Sequence, residues 1–218
     1  MNTQIDKATQ EQILQFMTTE HVTLQTAKSA TVAEANGRSA LFMGSVSSAV
    51  VALAFIGQVS DLGEAFFLFG LVLFPSLFFL GIVTFHRVLQ TALEDWAYTC
   101  EINRIRHYYI ELAPEMRPYF IQSIHDDMPG ELEGIGIVTS KWQLFLTGSG
   151  MVMTINSVLA GVFAGMLSRF AFSLPIYATT GFGIAVFVIN VVVHHRYQLN
   201  KFTKVGSRLK ALFPSDSK

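Results

Sequence analysis

The sequence predicts an all-α integral membrane protein: four transmembrane helices forming two parallel-repeated hairpins, with long helical cytoplasmic extensions. Three observations predict this. Charged residues make up 14% of the chain and hydrophobic residues 51%, whereas soluble domains carry about 25% charged residues. Four stretches, 40–59, 65–86, 144–167 and 174–194, contain no Asp, Glu, Lys or Arg. Each reaches the roughly 20 apolar residues that a helix needs to cross a bilayer core. Basic residues, finally, are distributed with a strong bias between the segments that join these stretches.

The stretches must be helical because hydrocarbon offers no partner to backbone N–H and C=O groups. Only SDLGE separates the first pair and SRFAFS the second, so the members of each pair are expected to run antiparallel. Fourteen of the fifteen Lys and Arg residues precede the first stretch, follow the fourth or lie between the second and third. Arg169 alone occupies a short link. By the positive-inside rule both termini and the middle segment are cytoplasmic, in a cell inner membrane. The polar N-terminus shows no cleavable signal peptide. The expected division is a cytoplasmic N-terminal helix over 1–39, a first hairpin over 40–86 and a cytoplasmic helical region over 87–143. A second hairpin over 144–194 and a cytoplasmic C-terminal helix over 195–218 complete it.

Residues 4–38 read as helix, with Gly37 either marking a bend or lying inside one helix that runs straight into the first span. The second span should continue as helix to Leu112, because Val88–Leu112 lacks Pro and Gly and Pro114 follows. Tyr98, Ile102, Ile105, Tyr109 and Leu112 form a heptad-like stripe on that extension. Its partner is the N-terminal helix, the 116–125 segment or the same stripe of another subunit. Beyond Pro114 the sequence suggests a short helix over 115–125, a turn at Asp126–Gly130 and a Gly-punctuated connector to Trp142, an interface anchor. The two halves echo each other: Gly44-Ser45 matches Gly148-Ser149, and His86-Arg87 matches His195-Arg196. Since both hairpins start and end inside, a repeat would be parallel.

Within the spans, Thr147, Gly150, Thr154, Ser157, Gly161, Ala164 and Ser168 recur at three- and four-residue spacing. They make one small, weakly polar face on the third span, suited to close helix packing or to lining a pore. Asn156 and Asn190 are amides inside spans, and such groups face protein or a cavity rather than lipid. Asn156 lies deeper and is the candidate for a constriction or ion contact. Pro75 frees a backbone carbonyl in mid-span and is the hinge candidate, whereas Pro175 reads as a helix-start proline. His86, His194 and His195 fall at the membrane boundary beside Arg87 and Arg196, as headgroup anchors.

Arg104, Arg106 and His107 form a basic, aromatic patch on the cytoplasmic helix, able to hold a small anionic ligand, a cytoplasmic protein or another subunit's carboxylates. Glu34 and Arg38 are an ordinary i,i+4 pair. His125-Asp126-Asp127 reads as a polar turn rather than a metal site, and the lone Cys100 excludes an intrachain disulfide. No nucleotide-binding loop, zinc-protease or serine-hydrolase motif is present, so neither catalytic residues nor a cofactor is expected. A net charge of −1 gives no field for nucleic acid.

The stretch TLQTAKSATVAEANGRSALFMGSVSSAVVALAFIG, with INRIRHYYIELAP and YFIQSIHDD, resembles a group of small actinobacterial-type four-span membrane proteins of uncharacterised function. Residues 23–57, with Lys28 and Arg38 before the span, also resemble the Pycsar and SLATT-type membrane effectors, which multimerise and compromise the inner membrane. The leading expectation is therefore a homo-oligomeric, non-enzymatic inner-membrane pore or gated ion channel in the lipid bilayer. The alternatives are a membrane-anchored scaffold or sensor docking a partner through 88–141, and a small transporter.

Overall fold

In a computed structural model, residues 7–134 and 141–215 are described, and among them the chain is helical with no strand. In order it forms α1 (Lys7–Val59), α2 (Glu64–Leu112), a 3-10 turn (Pro114–Tyr119), α3 (Met128–Gly134), a second 3-10 turn (Lys141–Leu146), α4 (Gly148–Phe172) and α5 (Ile176–Leu209). Four of these, α1, α2, α4 and α5, are long and apolar enough to cross a membrane. α1 passes through Gly37 without a break.

The ends of the helices follow local chemistry. Asp61 and Leu62 take left-handed φ values of 50° and 53° after α1, and the Gly63 N–H closes the turn on the Ser60 carbonyl at 2.8 Å. α2 stops at Leu112 before Pro114, as the sequence requires. Thr147 caps α4 by accepting the Gly150 N–H at 3.1 Å. Ser173 ends that helix in the left-handed region with φ 51°. The Pro175 carbonyl accepts the N–H groups of Ala178 and Thr179 at the start of α5.

Two expectations about 115–130 are corrected. The helical element is a 3-10 turn that ends at Tyr119, because Pro118 cannot donate to an α-helical ladder. The Asp126–Gly130 turn instead runs into α3, whose start Asp127 caps by accepting the Gly130 N–H at 3.1 Å. The connector at 135–140 and the Trp142 side chain lie outside the described residues.

The chain divides into two compact units. The first contains Met1–Ala33, Ala92–Thr139 and Lys204–Lys218, and the second Glu34–Thr91 and Ser140–Thr203. In the first unit, Leu24 of α1 packs on Ile102 and Ile105 of α2, with Met17, Tyr98 and Tyr109 around them. The stripe on α2 thus finds its partner in α1 of the same chain. Gly206 of α5 lies so close to Trp96 that an added Cβ would come 2.8 Å from the indole ring.

In the second unit, Phe42, Phe85, Val152 and Met153 are buried at the centre. There α4 and α5 meet at glycine. A Cβ on Gly161 would stand 2.7 Å from the Gly183 carbonyl oxygen, and one on Gly183 2.7 Å from that of Gly161. Backbones approach this closely only where both side chains are missing.

Candidate functional site

The second unit carries a series of buried polar side chains on α4 and α5. Thr147, Ser149 and Gln198 form one cluster, in which Gln198 Nε2 donates to Ser149 Oγ at 3.0 Å and to Thr147 Oγ1 at 3.4 Å. Further along α4, Ser157 is enclosed and donates to Asn190 Oδ1 at 3.2 Å and to the Met153 carbonyl at 2.8 Å. Thr154 is half-buried and returns its hydroxyl to the Gly150 carbonyl at 2.9 Å. Gly161 serves the contact with Gly183. Most of the small-residue face predicted from the sequence is therefore turned into the unit, where it packs and bonds locally.

Asn156 is different. It is 0% exposed, and neither its Oδ1 nor its Nδ2 has a hydrogen-bond partner among the described residues. Its carbonyl oxygen occupies the place where a Cβ of Gly81 would be, 2.0 Å from that position, and the Phe42 ring lies beside it. Gly81 on α2, which sequence reasoning passed over, therefore makes the room for the amide of α4. A buried amide without partners costs on the order of 1–3 kcal/mol, so this residue opposes folding at the centre of an apolar unit. Pro75 lies inside α2, which continues through it unbroken.

The three boundary histidines engage the chain itself. His194 Nδ1 donates to the Asn190 carbonyl, 2.9 Å away, and the ring lies edge-on to Phe85 at 4.8 Å between centroids. His86 meets Tyr197 edge-on at 5.0 Å, and His195 stacks on Phe145 at 4.8 Å. On α1, Glu34 accepts from Arg38 and from Arg87 of α2, each at 2.8 Å. These two guanidiniums hold its carboxyl below the usual carboxylate range.

The first unit splits the basic patch, with Arg104 and His107 on the segment after α5 and Arg106 on a cleft. Arg104 is engaged by the fold through two of its nitrogens: Nε donates to Asp126 Oδ2 at 2.5 Å, and Nη2 to the carbonyls of Leu209 and Lys210 at 2.8 and 2.9 Å. His107 stacks on Phe213 at 3.7 Å and lies 3.5 Å from Glu111. Both residues thus hold the segment after α5. Arg106 alone faces an open cleft, lined also by Gln25, Lys28, Ser29, Thr99 and Gln122.

His125-Asp126-Asp127 is the other half of that grip on the C-terminal segment. Asp126, its side chain 0% exposed, accepts the N–H groups of Leu212 at 2.9 Å and Phe213 at 2.8 Å. Asp127 Oδ2 accepts both the N–H and the hydroxyl of Ser215, at 2.9 and 2.8 Å. The His125 carbonyl accepts from Asn103 Nδ2 at 2.8 Å. Burial works against the Asp126 charge, but donation from Leu212, Arg104 and Phe213 outweighs it and holds the carboxyl below its ordinary range. The run is thus a receptor for residues 212–215, and no spacing in the sequence points to it. Cys100, beyond the apolar stretch of α2, is buried. Burial, with Glu131 and Asp126 nearby, pushes its thiol up to about 12.

Among the described residues no three His, Cys, Asp or Glu side chains gather in a metal-binding group. No protein-family model, curated protein or solved structure matches the chain significantly.

Proposed function

We propose that the chain is a homo-oligomeric inner-membrane protein whose apolar helices form a gated ion-conducting pore, with Asn156 as the polar constriction. In this reading the two hairpins enter from the cytoplasmic side as parallel units, and residues 1–39, 87–143 and 195–218 extend into the cytoplasm. The observation that supports it is the enclosed, unpartnered Asn156 amide on a helix apolar enough to span a membrane. A polar group retained at such a site is costly, and residues of this kind mark the paths of ions and protons. Gly81 on α2 makes the room that the Asn156 amide occupies. The resemblance of residues 23–57 to membrane effectors supports the same direction.

The test is ion flux in liposomes carrying the purified full chain, with Asn156→Leu and Asn156→Ser compared at equal incorporation. Conductance by the wild type, retained in N156S and reduced by about tenfold or more in N156L, is the expected result. Absence of conductance across monovalent and divalent ions, or equal flux through N156L, would overturn the proposal.

A further inference from the structure

The cleft of the first unit has a volume of about 450 Å³, within the range of small-molecule sites and well above the size of one inorganic ion. α1 contributes Gln25, Lys28, Ser29 and Val32, α2 contributes Thr99, Ile102 and Arg106, and Gln122 comes from the segment before α3. Two cations, two amides and two hydroxyls thus share the walls with a strip of Val32 and Ile102.

The charges of the wall are unequally balanced. Lys28 is held, donating to Thr99 Oγ1 and lying 3.5 Å from Asp95. Glu131 also faces Lys28 and Asp95, and burial, together with Asp95, raises its carboxyl above the usual range. Arg106 has no such compensation. Nη1 donates to Asn103 Oδ1 at 2.8 Å, and no carboxylate lies in ion-pair range among the described residues. The guanidinium is half-buried, and its burial lowers its pKa with no opposing influence. His21, one turn before Gln25, feels the Arg106 charge and is lowered by burial and by it. A half-buried cation without a counter-charge, on the wall of an accessible cleft, asks for an anion.

The contrast with Arg104 strengthens this. Two residues apart on one helix, the two side chains point to faces separated by about 200°. One is paired with a carboxylate of the fold and the other is not. With Nη1 committed to Asn103, the Nε–Nη2 edge of Arg106 remains, the edge that grips two oxygens of a phosphate at once. A phosphate monoester offers three terminal oxygens, enough for that fork and for Lys28 across the cleft. The remaining volume, with its amides and its apolar strip, takes the organic part.

We infer that the cleft of Lys28 and Arg106 binds a phosphate monoester, free in solution or carried on a lipid headgroup. This does not rest on the pore reading: binding would stand in a protein that conducts nothing.

The test uses the full chain purified in detergent and reconstituted in vesicles. In the first arm, inorganic phosphate, glucose 6-phosphate and adenosine 5′-monophosphate are titrated by calorimetry, with acetate as a carboxylate control. In the second, vesicles of phosphatidylcholine with or without phosphatidate are compared by protection of Arg106 against phenylglyoxal. Saturable binding in the first arm identifies a soluble ligand, and phosphatidate-dependent protection in the second a lipid. Arg106→Gln should weaken either by about tenfold or more, while Arg106→Lys recovers part of it and both variants keep the wild-type melting temperature. If R106Q fails to fold, Ser29→Leu, which narrows the cleft from the exposed face of α1, serves instead and should weaken binding equally. No binding in either arm at millimolar ligand, or undiminished binding by these variants, overturns the inference.

Discussion

Replacing Asp126 by Asn keeps the volume of the side chain and removes its charge. The native carboxylate receives three donors: Arg104 Nε and the Leu212 N–H at Oδ2, and the Phe213 N–H at Oδ1. An amide has one accepting oxygen. Whichever way it turns, its NH2 group confronts either the Phe213 N–H or both Arg104 Nε and the Leu212 N–H, and in both orientations Arg104 loses its counter-charge. Hydrogen bonds to a charged group contribute about 1.5–3 kcal/mol each, and breaking a buried pair costs about 3–5 kcal/mol. The loss therefore amounts to about 3–5 kcal/mol, and it falls on the attachment of residues 212–215. At about 1.4 kcal/mol per decade, the opening equilibrium of this segment rises by about two to three and a half orders of magnitude. Amide hydrogen exchange of the full chain in detergent reads this directly, at Leu212, Phe213 and Ser215. Protection of these amides that stays within about threefold of the wild type would refute the reasoning. The pH dependence has a definite sign. A carboxyl held below its unfolded value stabilises the fold above about pH 4, and this is lost only as pH falls through the depressed folded value. The segment should stay attached at pH 5 in the wild type and detach only in stronger acid.

Three further outcomes follow from packing and burial. Gly161→Ala places a methyl 2.7 Å from the Gly183 carbonyl oxygen; forcing α4 and α5 apart should cost about 1–3 kcal/mol and lower the melting temperature in detergent. Gly37→Ala, where a Cβ meets nothing within 4 Å, should instead leave it unchanged or raise it slightly. Cys100, with its thiol pushed up to about 12, should resist maleimide at pH 7.5 in the folded protein and react once denaturant exposes it.

The four apolar helices were legible because membrane crossing imposes length and the exclusion of charge, and both can be read from consecutive residues. The α2 stripe was legible for a related reason: the spacing of Ile102 and Ile105 shows that a partner is needed, although only the structure selects Leu24 over the alternatives. The 115–125 segment misled because Pro118 leaves a helix of one turn looking like the start of a longer one. Arg104, Arg106 and His107 looked like one patch because they are close in sequence, yet helical rotation sends Arg106 to the cleft and leaves Arg104 and His107 together on the C-terminal segment. The role of Asp126 was out of reach, since its backbone partners are more than 80 positions away and a backbone N–H has no sequence signature. The bare amide of Asn156 was legible as a polar residue in a span, but its lack of partners depends on Gly81 and Phe42, which arrive from other helices.

The grip on residues 212–215 also sets an order of biosynthesis. The receptor residues Arg104 and Asp126 leave the ribosome well before the segment they hold, with all of α4 and α5 made in between. At about 5–20 residues per second, Asp126 waits roughly 4–17 s for its amide donors. Throughout that interval Arg104 is the charged partner already at hand, so the pair is assembled as a half-built socket. The last two apolar helices must be made before the socket can be filled, and its closure marks the end of assembly of the first unit.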